Sequence, residues 1–288
     1  MSAASLPNFT GCIIDDRYEL LQMLGSGTFG VVYKAIDLEV ADNFDNIVAV
    51  KIVRKAGRGD AELAIIKREV AMHSVVADIE GVVTLIDAFD DAKWCYIVLE
   101  FCQGGDLFEQ IITKQSYLGN DELLRRAFLS LVDAVQACHD AGIAHRDLKP
   151  ENVLISQDGS RCYLADFGLA TNQPVVRDFG IGTGLYMSPE CVGELTARQA
   201  YDPYLSDIWA LGVILVNMIT AQNPWARATP KDANFCQFVM DPDFLFNASP
   251  MSEGAHAIIQ SLLDLHPAGR MCLRSLRQAI LSLDTFFR

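Results

Sequence analysis

The alternation of hydrophobic and polar positions divides the chain into a strand-rich first part and a helix-rich second part. In the first hundred residues, short β-branched and aromatic runs are bounded by turn residues, as in the strands of a sheet. Residues 61–76 instead carry apolar side chains at helical spacing. The pattern therefore predicts an α+β chain whose first lobe has one helix and five antiparallel strands, at 18–24, 31–38, 47–54, 82–89 and 95–101.

Helical periodicity dominates after residue 103, where the run Gln103-Gly104-Gly105 marks a change in composition. One predicted helix, ending at about Thr220, is so apolar that it must be buried on most sides. The predicted helices begin at Asp121 as an N-cap, at Ser206 or Asp207, after Ser252 and near Leu273, and Gly142 ends the first of them. The second lobe is therefore predicted to be mainly helical.

The composition is that of a globular protein, with 51% hydrophobic and 21% charged residues among 288. The net charge of −14 argues against nucleic acid or an anionic membrane as a partner, because both require clustered Lys and Arg. The longest apolar run, 208–219, is interrupted by Asn217 and is shorter than the roughly 20 residues of a membrane span. The first ten residues carry neither the basic nor the apolar region of a signal peptide.

The eight cysteines are scattered along the chain without a C-x-x-C pair. Such scatter is typical of reduced thiols in an intracellular protein, rather than of a disulfide framework or a zinc site. We therefore expect an intracellular protein, in the cytoplasm, the nucleus or both. We also expect it to be a monomer.

A glycine motif, Gly25-x-Gly27-x-x-Gly30-x-Val32, joins the first two predicted strands. Glycines allow backbone N–H groups to approach phosphates closely. In dinucleotide-binding folds the same motif joins a strand to a helix, whereas a strand-to-strand connection favours a cover over the phosphates of ATP. Without further signals, an ordinary glycine-rich hairpin would be the better interpretation.

Lys51 lies on the apolar third strand, so its ammonium group points to one face of the sheet. The following helix offers Glu62 and Glu69 as partners. Glu62 lies near the helix start, where a carboxylate interacts favourably with the helix dipole. Glu69, in the middle of the helix, is therefore the predicted partner of Lys51. The alternative is a surface ion pair, which is worth about 0–1 kcal/mol.

Two short runs contain the highest density of candidate catalytic and metal-binding residues. They are A-H-R-D-L-K-P-E-N at 144–152 and D-F-G at 166–168. Phosphoryl transfer needs positioning and charge neutralisation more than covalent chemistry. A hard cation such as Mg²⁺ prefers oxygen ligands. The runs supply Asp147 to accept the proton of a hydroxyl, Lys149 to neutralise a transferring phosphate, Asn152 and Asp166 to hold Mg²⁺, and His145 to hold the loop by hydrogen bonds.

In this order, the motifs resemble the protein kinase family from about Tyr18 to the C-terminus. The resemblance implies a bilobal kinase fold over 18–288, with an N-lobe and hinge at 18–102, a C-lobe at 103–288 and a short extension at 1–17. It also implies ATP and Mg²⁺ as cofactors. The implied site residues are Asp147, Lys149, Lys51 and Glu69 for catalysis, Leu24, Gly25, Gly27, Gly30, Val32, Ala49, Lys51, Leu99, Glu100, Cys102, Asp106 and Leu154 for ATP binding, and Asn152 and Asp166 for the metal.

Further residues resemble those of the serine/threonine branch of the family. Lys149 is usually replaced in tyrosine kinases, and Thr183 before Tyr186 fits the same branch. The runs Y-M-S-P-E-C and D-F-G-L-A-T are similar to fungal serine/threonine kinases that govern nutrient response and meiotic entry. The resemblance also implies that Glu190 pairs with Arg270 and that Asp207 accepts hydrogen bonds from backbone near the catalytic loop.

The segment from Gly168 to Thr183 departs from the family pattern. Kinases with an arginine before the catalytic aspartate usually order this loop with a phosphate, yet the usual phosphoacceptor position falls on Phe179. One hypothesis is that Asp178 pairs with Arg146 and partly substitutes for the phosphate, although one carboxylate offers less charge. The alternative is that Asp178 is solvated and Phe179 packs to hold the loop.

The expected substrates are proteins with a modest preference for basic residues upstream of Ser or Thr. Asp106 and Glu151 match positions that meet arginines in relatives with that preference, whereas Asn217 stands where those relatives carry a glutamate. Two alternatives to a protein kinase are a pseudokinase that acts as a scaffold or nucleotide-gated interaction module, and a small-molecule kinase of the same fold. The complete set of catalytic residues disfavours the first, and the S-P-E run at 188–190 with Asp207 and Arg270 disfavours the second.

Overall fold

The computed structural model describes residues 6–26, 30–40, 46–57 and 59–288. The chain forms two units: the first runs to Asp78 and takes in Val83–Cys102, and the second comprises Ile79–Val82 and Gln103–Arg288. An antiparallel sheet with one helix makes up the first unit, and helices with a two-stranded sheet make up the second. The α+β class and the division into a strand-rich and a helix-rich part are therefore confirmed.

The first unit holds a six-stranded antiparallel sheet in the order β1-β2-β3-β4-β6-β5. Its elements are β1 (Ile13–Ile14), β2 (Tyr18–Ser26), β3 (Gly30–Asp37), β4 (Ile47–Arg54), α1 (Asp60–Val76), β5 (Leu85–Asp90) and β6 (Trp94–Glu100). The prediction of five strands missed β1, which pairs with β2 across a tight turn. The predicted fourth strand also began too early, because Val82 forms a single bridge to Leu164 instead of joining β5.

The two faces of this sheet carry different side chains. Register pairs Val32 with Lys51 and Ala49 with Leu99, so these four residues share one face. The opposite face carries the hydrophobic core of the unit, in which Tyr33 and Val50 are directly paired and almost fully buried. We call the face with Lys51 the functional face, after the site residues that the sequence predicts there, and the opposite face the packing face.

The second unit is built around long helices. Its sheet consists of β7 (Val153–Ile155) and β8 (Cys162–Leu164). Its α-helices are α2 (Asp121–Asp140), α3 (Pro189–Val192), α4 (Pro203–Thr220), α5 (Ala233–Met240), α6 (Phe244–Asn247), α7 (Glu253–Leu262) and α8 (Leu273–Ser282). A π-helical turn spans Glu109–Thr113, and 3₁₀ turns span Pro150–Asn152 and Pro267–Gly269. The helices predicted after Ser252 and near Leu273 are confirmed.

Two predicted helix starts were wrong. Asn120, not Asp121, is the N-cap of α2, because the Asn120 side chain accepts the Leu123 N–H at 3.1 Å. The Asp121 carboxylate is instead occupied by the C-terminal segment, where it accepts the backbone N–H of Phe286 at 2.6 Å. The first helix does end as predicted, with Gly142 following its C-cap at φ +77°.

Helix α4 begins earlier than the prediction of Ser206 or Asp207. Its N-cap is Asp202, whose carboxylate accepts the N–H of Tyr204 at 2.8 Å, and Pro203 occupies the first helical position. By length and composition α4 is apolar enough to cross a membrane, but 78% of it is buried inside the protein. Its apolarity is therefore accounted for by the protein core.

Candidate active site

The β2–β3 hairpin carries the described part of the glycine motif. Gly25 pairs with Val32, and Leu24 beside it is exposed. A Cβ atom on Gly30 would overlap the carbonyl oxygen of Ile52, so glycine is required there for β3 to approach β4. Gly27 lies outside the described residues.

Lys51 and Glu69 form the predicted ion pair. The Lys51 Nζ lies 2.5 Å from Glu69 Oε1, and the two side chains are only 17% and 12% exposed. The middle of α1 therefore fixes the position of the ammonium group on the functional face of the sheet. Screening by solvent is weak at this exposure, which distinguishes the pair from a surface ion pair.

Two residues implied for ATP binding, Glu100 and Cys102, follow Leu99 at the end of β6. The carboxylate of Glu100 accepts a hydrogen bond from Thr84 Oγ1 at 2.9 Å. Burial, assisted by the charge of Glu100, raises the pKa of Cys102 to about 12. The Cys102 thiol is therefore neutral at physiological pH and behaves as a small apolar group.

Asp106 and Leu154 come together in the second unit through a single antiparallel bridge. The backbone is tightly packed there, since a Cβ atom on Gly104 would overlap the carbonyl oxygens of Ile155 and Ser156. The Asp106 carboxylate accepts the N–H of Glu109 at 2.7 Å and so caps the following turn.

The loop at residues 144–152, which we call the catalytic loop, is held in place by Asp207 from α4. This buried carboxylate accepts the backbone N–H groups of His145 at 2.8 Å and Arg146 at 2.9 Å, as predicted. It also binds His139 Nε2 at 2.9 Å, a contact the sequence analysis missed. The predicted structural role of His145 is confirmed by its hydrogen bond to the carbonyl oxygen of Ala165 at 3.0 Å.

The Asp147 carboxylate lies at the centre of the polar site in the second unit. Asn152 Nδ2 donates to its Oδ2 at 3.1 Å, and Lys149 Nζ lies 3.0 Å from the same oxygen. The other oxygen, Oδ1, accepts from Thr183 Oγ1 at 2.8 Å. Lys149 also donates to Thr183 Oγ1 at 2.9 Å. The structure therefore brings the predicted Asp147, Lys149 and Asn152 together and adds Thr183, which the sequence marked only as a feature of the branch.

Asn152 and Asp166 lie on neighbouring segments of the backbone, just outside β7 and β8. The N–H of Ala165, immediately before Asp166, donates to the carbonyl oxygen of Asn152 at 2.9 Å. Because the Asn152 amide nitrogen binds Asp147, the amide oxygen is the atom that can bind a metal. Within the described residues no three His, Cys, Asp or Glu side chains cluster as a metal site. An amide and a carboxylate fit a hard cation such as Mg²⁺ that takes its other ligands from water and phosphate.

The segment from Gly168 to Thr183, which we call the activation segment, is held by an ion pair and an apolar cluster. Arg146 Nη2 lies 2.6 Å from Asp178 Oδ2, with the arginine side chain 6% and the aspartate 52% exposed. Burial lowers the pKa of Arg146, but its hydrogen bonds to Asp178 and Tyr201 more than offset this, so that the pKa is raised. The Tyr201 hydroxyl donates to the carbonyl oxygen of Asp178 at 3.1 Å.

Phe179 packs beside this ion pair. Its ring lies 5.8 Å from that of Tyr201, between ring centroids, and against a buried cluster that includes Val176 and Met187. Asp178 therefore pairs with Arg146, as in the first hypothesis, and only the packing of Phe179 is taken from the alternative, which had Asp178 solvated.

Glu190 and Arg270 form the predicted buried pair. Two nearly parallel hydrogen bonds of 2.6 and 2.8 Å join the guanidinium group to the carboxylate. Arg270 also donates to the carbonyl oxygen of Leu205 and lies over the ring of Trp209 at 5.0 Å. The pair therefore links α3 to α4 inside the second unit.

Comparison with known families gives one match over most of the chain. The family model described as "Protein kinase domain" matches residues 18–280. These residues contain all of the site positions described above.

Curated relatives from fungi show the same similarity. The chain is 36% identical over 286 residues to "Negative regulator of sexual conjugation and meiosis" of Schizosaccharomyces pombe, covering 92% of this chain and 60% of the relative. It is 32% identical over 274 residues to "Serine/threonine-protein kinase ksp1" of the same yeast, covering 92% and 56%. It is 26% identical over 336 residues to "Serine/threonine-protein kinase VHS1" of Saccharomyces cerevisiae, covering 96% and 72%. The chain therefore spans a little over half the length of the first two relatives.

Proposed function

The chain belongs to the protein kinase family, and we propose that it transfers the γ-phosphoryl group of Mg-ATP to serine and threonine hydroxyls of protein substrates. The observation that carries the proposal is the fixed carboxylate of Asp147, held by Asn152 and bonded to Thr183 and Lys149. Phosphoryl transfer depends on positioning and on charge stabilisation. A carboxylate held beside an ammonium group supports the transfer of a phosphoryl group to a hydroxyl, and not only the binding of a nucleotide.

Each residue has a role that follows from its contacts. Asp147 accepts the proton of the incoming hydroxyl, and Thr183 Oγ1, at 2.8 Å, shows that a hydroxyl can donate to this carboxylate. Lys149 neutralises charge on the transferring phosphoryl group. Mg-ATP would supply that group, and the metal would offset the charge of the phosphates. Asn152 and Asp166 would hold the metal through oxygen atoms.

In the first unit, Lys51 binds the phosphates of ATP. Its ion pair with Glu69 keeps the ammonium group in one rotamer, which reduces the entropy lost on binding. Val32 and Ala49 share the face of Lys51 and support a role in packing against adenine.

The activation segment is proposed to be ordered without phosphorylation. Asp178 supplies a negative charge to Arg146, and Phe179 adds apolar packing at the position where a phosphoacceptor usually stands. A carboxylate is weaker than a phosphate, so the apolar contact compensates for the missing charge.

A modest preference for basic residues upstream of the target hydroxyl is also proposed. Glu151 is exposed and its carboxylate remains available to a substrate cation. One carboxylate oxygen of Asp106 already accepts the N–H of Glu109 as a cap. Asn217 is a neutral amide that donates to Asn223 at 3.0 Å. One exposed carboxylate, one carboxylate that also caps a turn and one neutral amide favour a modest preference over a strict requirement. A peptide array with acidic or proline-directed selection would contradict it.

The first experiment is transfer of radiolabelled phosphate from ATP to a generic basic protein by phosphatase-treated enzyme. We expect transfer by the wild type and none by Asp166→Asn, since the amide removes a charged metal ligand. Mass spectrometry of the treated wild type verifies that the activation segment carries no phosphate.

Absence of transfer by a folded wild type that binds ATP would contradict catalysis by the unphosphorylated protein. Treatment with an activating kinase then distinguishes an enzyme that requires phosphorylation from a pseudokinase. Transfer to a metabolite instead of protein would indicate a small-molecule kinase.

A further inference from the structure

A segment that precedes the family match at residue 18 covers the packing face of the first unit. We call residues 6–14 the N-terminal strap. Leu6 and Phe9 pack against the hydrophobic core on the sheet face opposite Lys51. The Phe9 ring makes edge contacts with Tyr33 on β3, at 6.0 Å, and Trp94 on β6, at 5.1 Å. The strap therefore joins two strands of the sheet.

The Tyr33 hydroxyl is the polar anchor of the strap. It accepts the backbone N–H of Phe9 at 3.1 Å and donates to Asn8 Oδ1 at 3.2 Å. The Tyr33 ring is 2% exposed, so the hydroxyl is satisfied by the strap at the edge of the core.

The strap also pairs with β2. Gly11 N–H donates to the carbonyl oxygen of Leu20 at 2.7 Å, and Leu20 N–H donates to that of Cys12 at 2.9 Å. The short strand β1 continues this pairing from Ile14 to Tyr18. Without these bonds β2 would be an edge strand with unpaired backbone groups. Gly25 follows Leu20 on the same strand, so the strap supports the strand that leads into the glycine motif.

We propose that the N-terminal strap positions the β2–β3 hairpin and thereby sets the affinity of the protein for ATP, with Phe9 and Asn8 as positioning residues. The inference rests on the proposed function, because it assigns ATP to this hairpin. Tyr33 and Val32 are adjacent on β3 and point to opposite faces, so a displacement of Tyr33 moves Val32 and Gly30 with it. Contacts on the packing face are in this way transmitted to the functional face.

The strap is expected to affect nucleotide binding more than peptide binding. Every strap contact named here is made within the first unit, to β2, β3 or β6. Asp147, Lys149 and Thr183 are fixed by hydrogen bonds within the second unit. A change in the strap should therefore raise KM for ATP while KM for peptide stays near the wild-type value.

The test uses the full chain with Phe9→Ala, and Thr10→Ala as the matched control. Thr10 is the exposed neighbour of Phe9 on the same segment. We expect Phe9→Ala to raise KM for ATP and the Kd of a fluorescent ATP analogue at least about fivefold, with Phe9→Leu restoring part of the loss. Thr10→Ala should match the wild type.

A second variant, Tyr33→Phe, removes only the hydroxyl and keeps the core ring. We expect KM for ATP to rise in the same direction by a smaller factor, and hydrogen exchange at Leu20 to accelerate in both variants. Tyr33→Phe keeps the proposal testable if Phe9→Ala does not fold.

Unchanged nucleotide affinity in folded variants would overturn the proposal. It would also be overturned if kcat fell and both KM values rose by equal factors. A wild type that binds the analogue without transferring phosphate would refute the proposed catalysis alone, since the Kd values still decide the role of the strap. A wild type that binds no nucleotide would overturn both.

Discussion

At the scale of single residues, the catalytic loop and the D-F-G run each contain a backbone conformation that their sequence does not favour. Arg146 and Asp166 adopt φ values of +68° and +63°, in the left-handed region that non-glycine residues rarely occupy. Each such residue costs about 1–3 kcal/mol and persists only where its surroundings fix it. For Arg146 that support is visible, because Asp207 accepts its N–H and Asp178 binds its guanidinium group.

The contribution of Asp178 can be measured by Asp178→Asn, which keeps the shape and removes the charge. We expect phosphatase-treated Asp178→Asn to transfer phosphate about tenfold more slowly than the wild type, because the buried guanidinium group loses its counter-ion. Asp178→Glu should restore part of the rate. Asp78→Asn, an exposed aspartate in the first unit, is the control and should have no effect. Equal rates for Asp178→Asn and wild type would show that Phe179 packing alone orders the segment.

At the scale of elements, the activation segment is tied to the catalytic loop by a close backbone approach. Gly182 has φ +109°, and a Cβ atom there would lie 2.7 Å from the carbonyl oxygen of Arg146. The next residue is Thr183, which binds Asp147. Glycine is therefore required at 182 for both conformational and steric reasons.

Gly182→Ala should lower kcat more than tenfold by displacing Thr183 and, with it, the Asp147 carboxylate. Gly119→Ala is a matched control, since Gly119 also has a positive φ, +67°, but has open space around its Cβ position. This control should lose about 1 kcal/mol of stability and keep its kcat. A Gly182→Ala enzyme with wild-type kcat would contradict the coupling of the two segments.

The elements also show what the sequence could predict. Glu69 was identified as the partner of Lys51 because its place in the helix could be read from periodicity. The start of α4 was missed because the apolar pattern begins later than its Asp202 cap. Strand β1 has two residues and depends on Asp15 and Asp16 in the left-handed region, which no hydrophobic pattern reports.

The contact between Thr183 and Asp147 was missed for a different reason. The two residues are 36 positions apart, and their hydrogen bond depends on how the activation segment folds back. The sequence predicted the contacts of Lys51 with Glu69 and of Glu190 with Arg270, which have counterparts in the family, but not this one. The same limit applies to His139, whose bond to Asp207 spans 68 positions.

At the scale of the whole molecule, the proposed functional groups are divided between units with different architecture. Lys51 and Glu69 belong to the sheet unit, and Asp147 and Asn152 to the helical unit. The helical unit is held together by buried polar links such as that between Glu190 and Arg270, whose side chains are 4% and 0% exposed. Such a pair specifies how its helices dock, while its net contribution to stability is limited by desolvation.

Arg270→Met should lower the free energy of unfolding by about 3–5 kcal/mol, because it leaves the Glu190 carboxylate buried without a partner. The double variant Arg270→Met with Glu190→Gln should recover part of this loss. Arg277→Ala is the control, since Arg277 pairs with Asp133 at the surface and should contribute about 0–1 kcal/mol. Urea unfolding midpoints compare the four proteins. If Arg270→Met and Arg277→Ala lowered the free energy of unfolding equally, burial would not determine how much the Glu190–Arg270 pair contributes to stability.

The contact between Phe9 and Trp94 also has a consequence for synthesis of the chain. Phe9 leaves the ribosome before its partner ring, which is made roughly 85 residues later. At roughly 5–20 residues per second, the Phe9 ring lacks this partner for on the order of ten seconds. During this interval the apolar side chain of Phe9 is open to chaperones, and the first unit acquires its complete packing face only after its last strand has emerged.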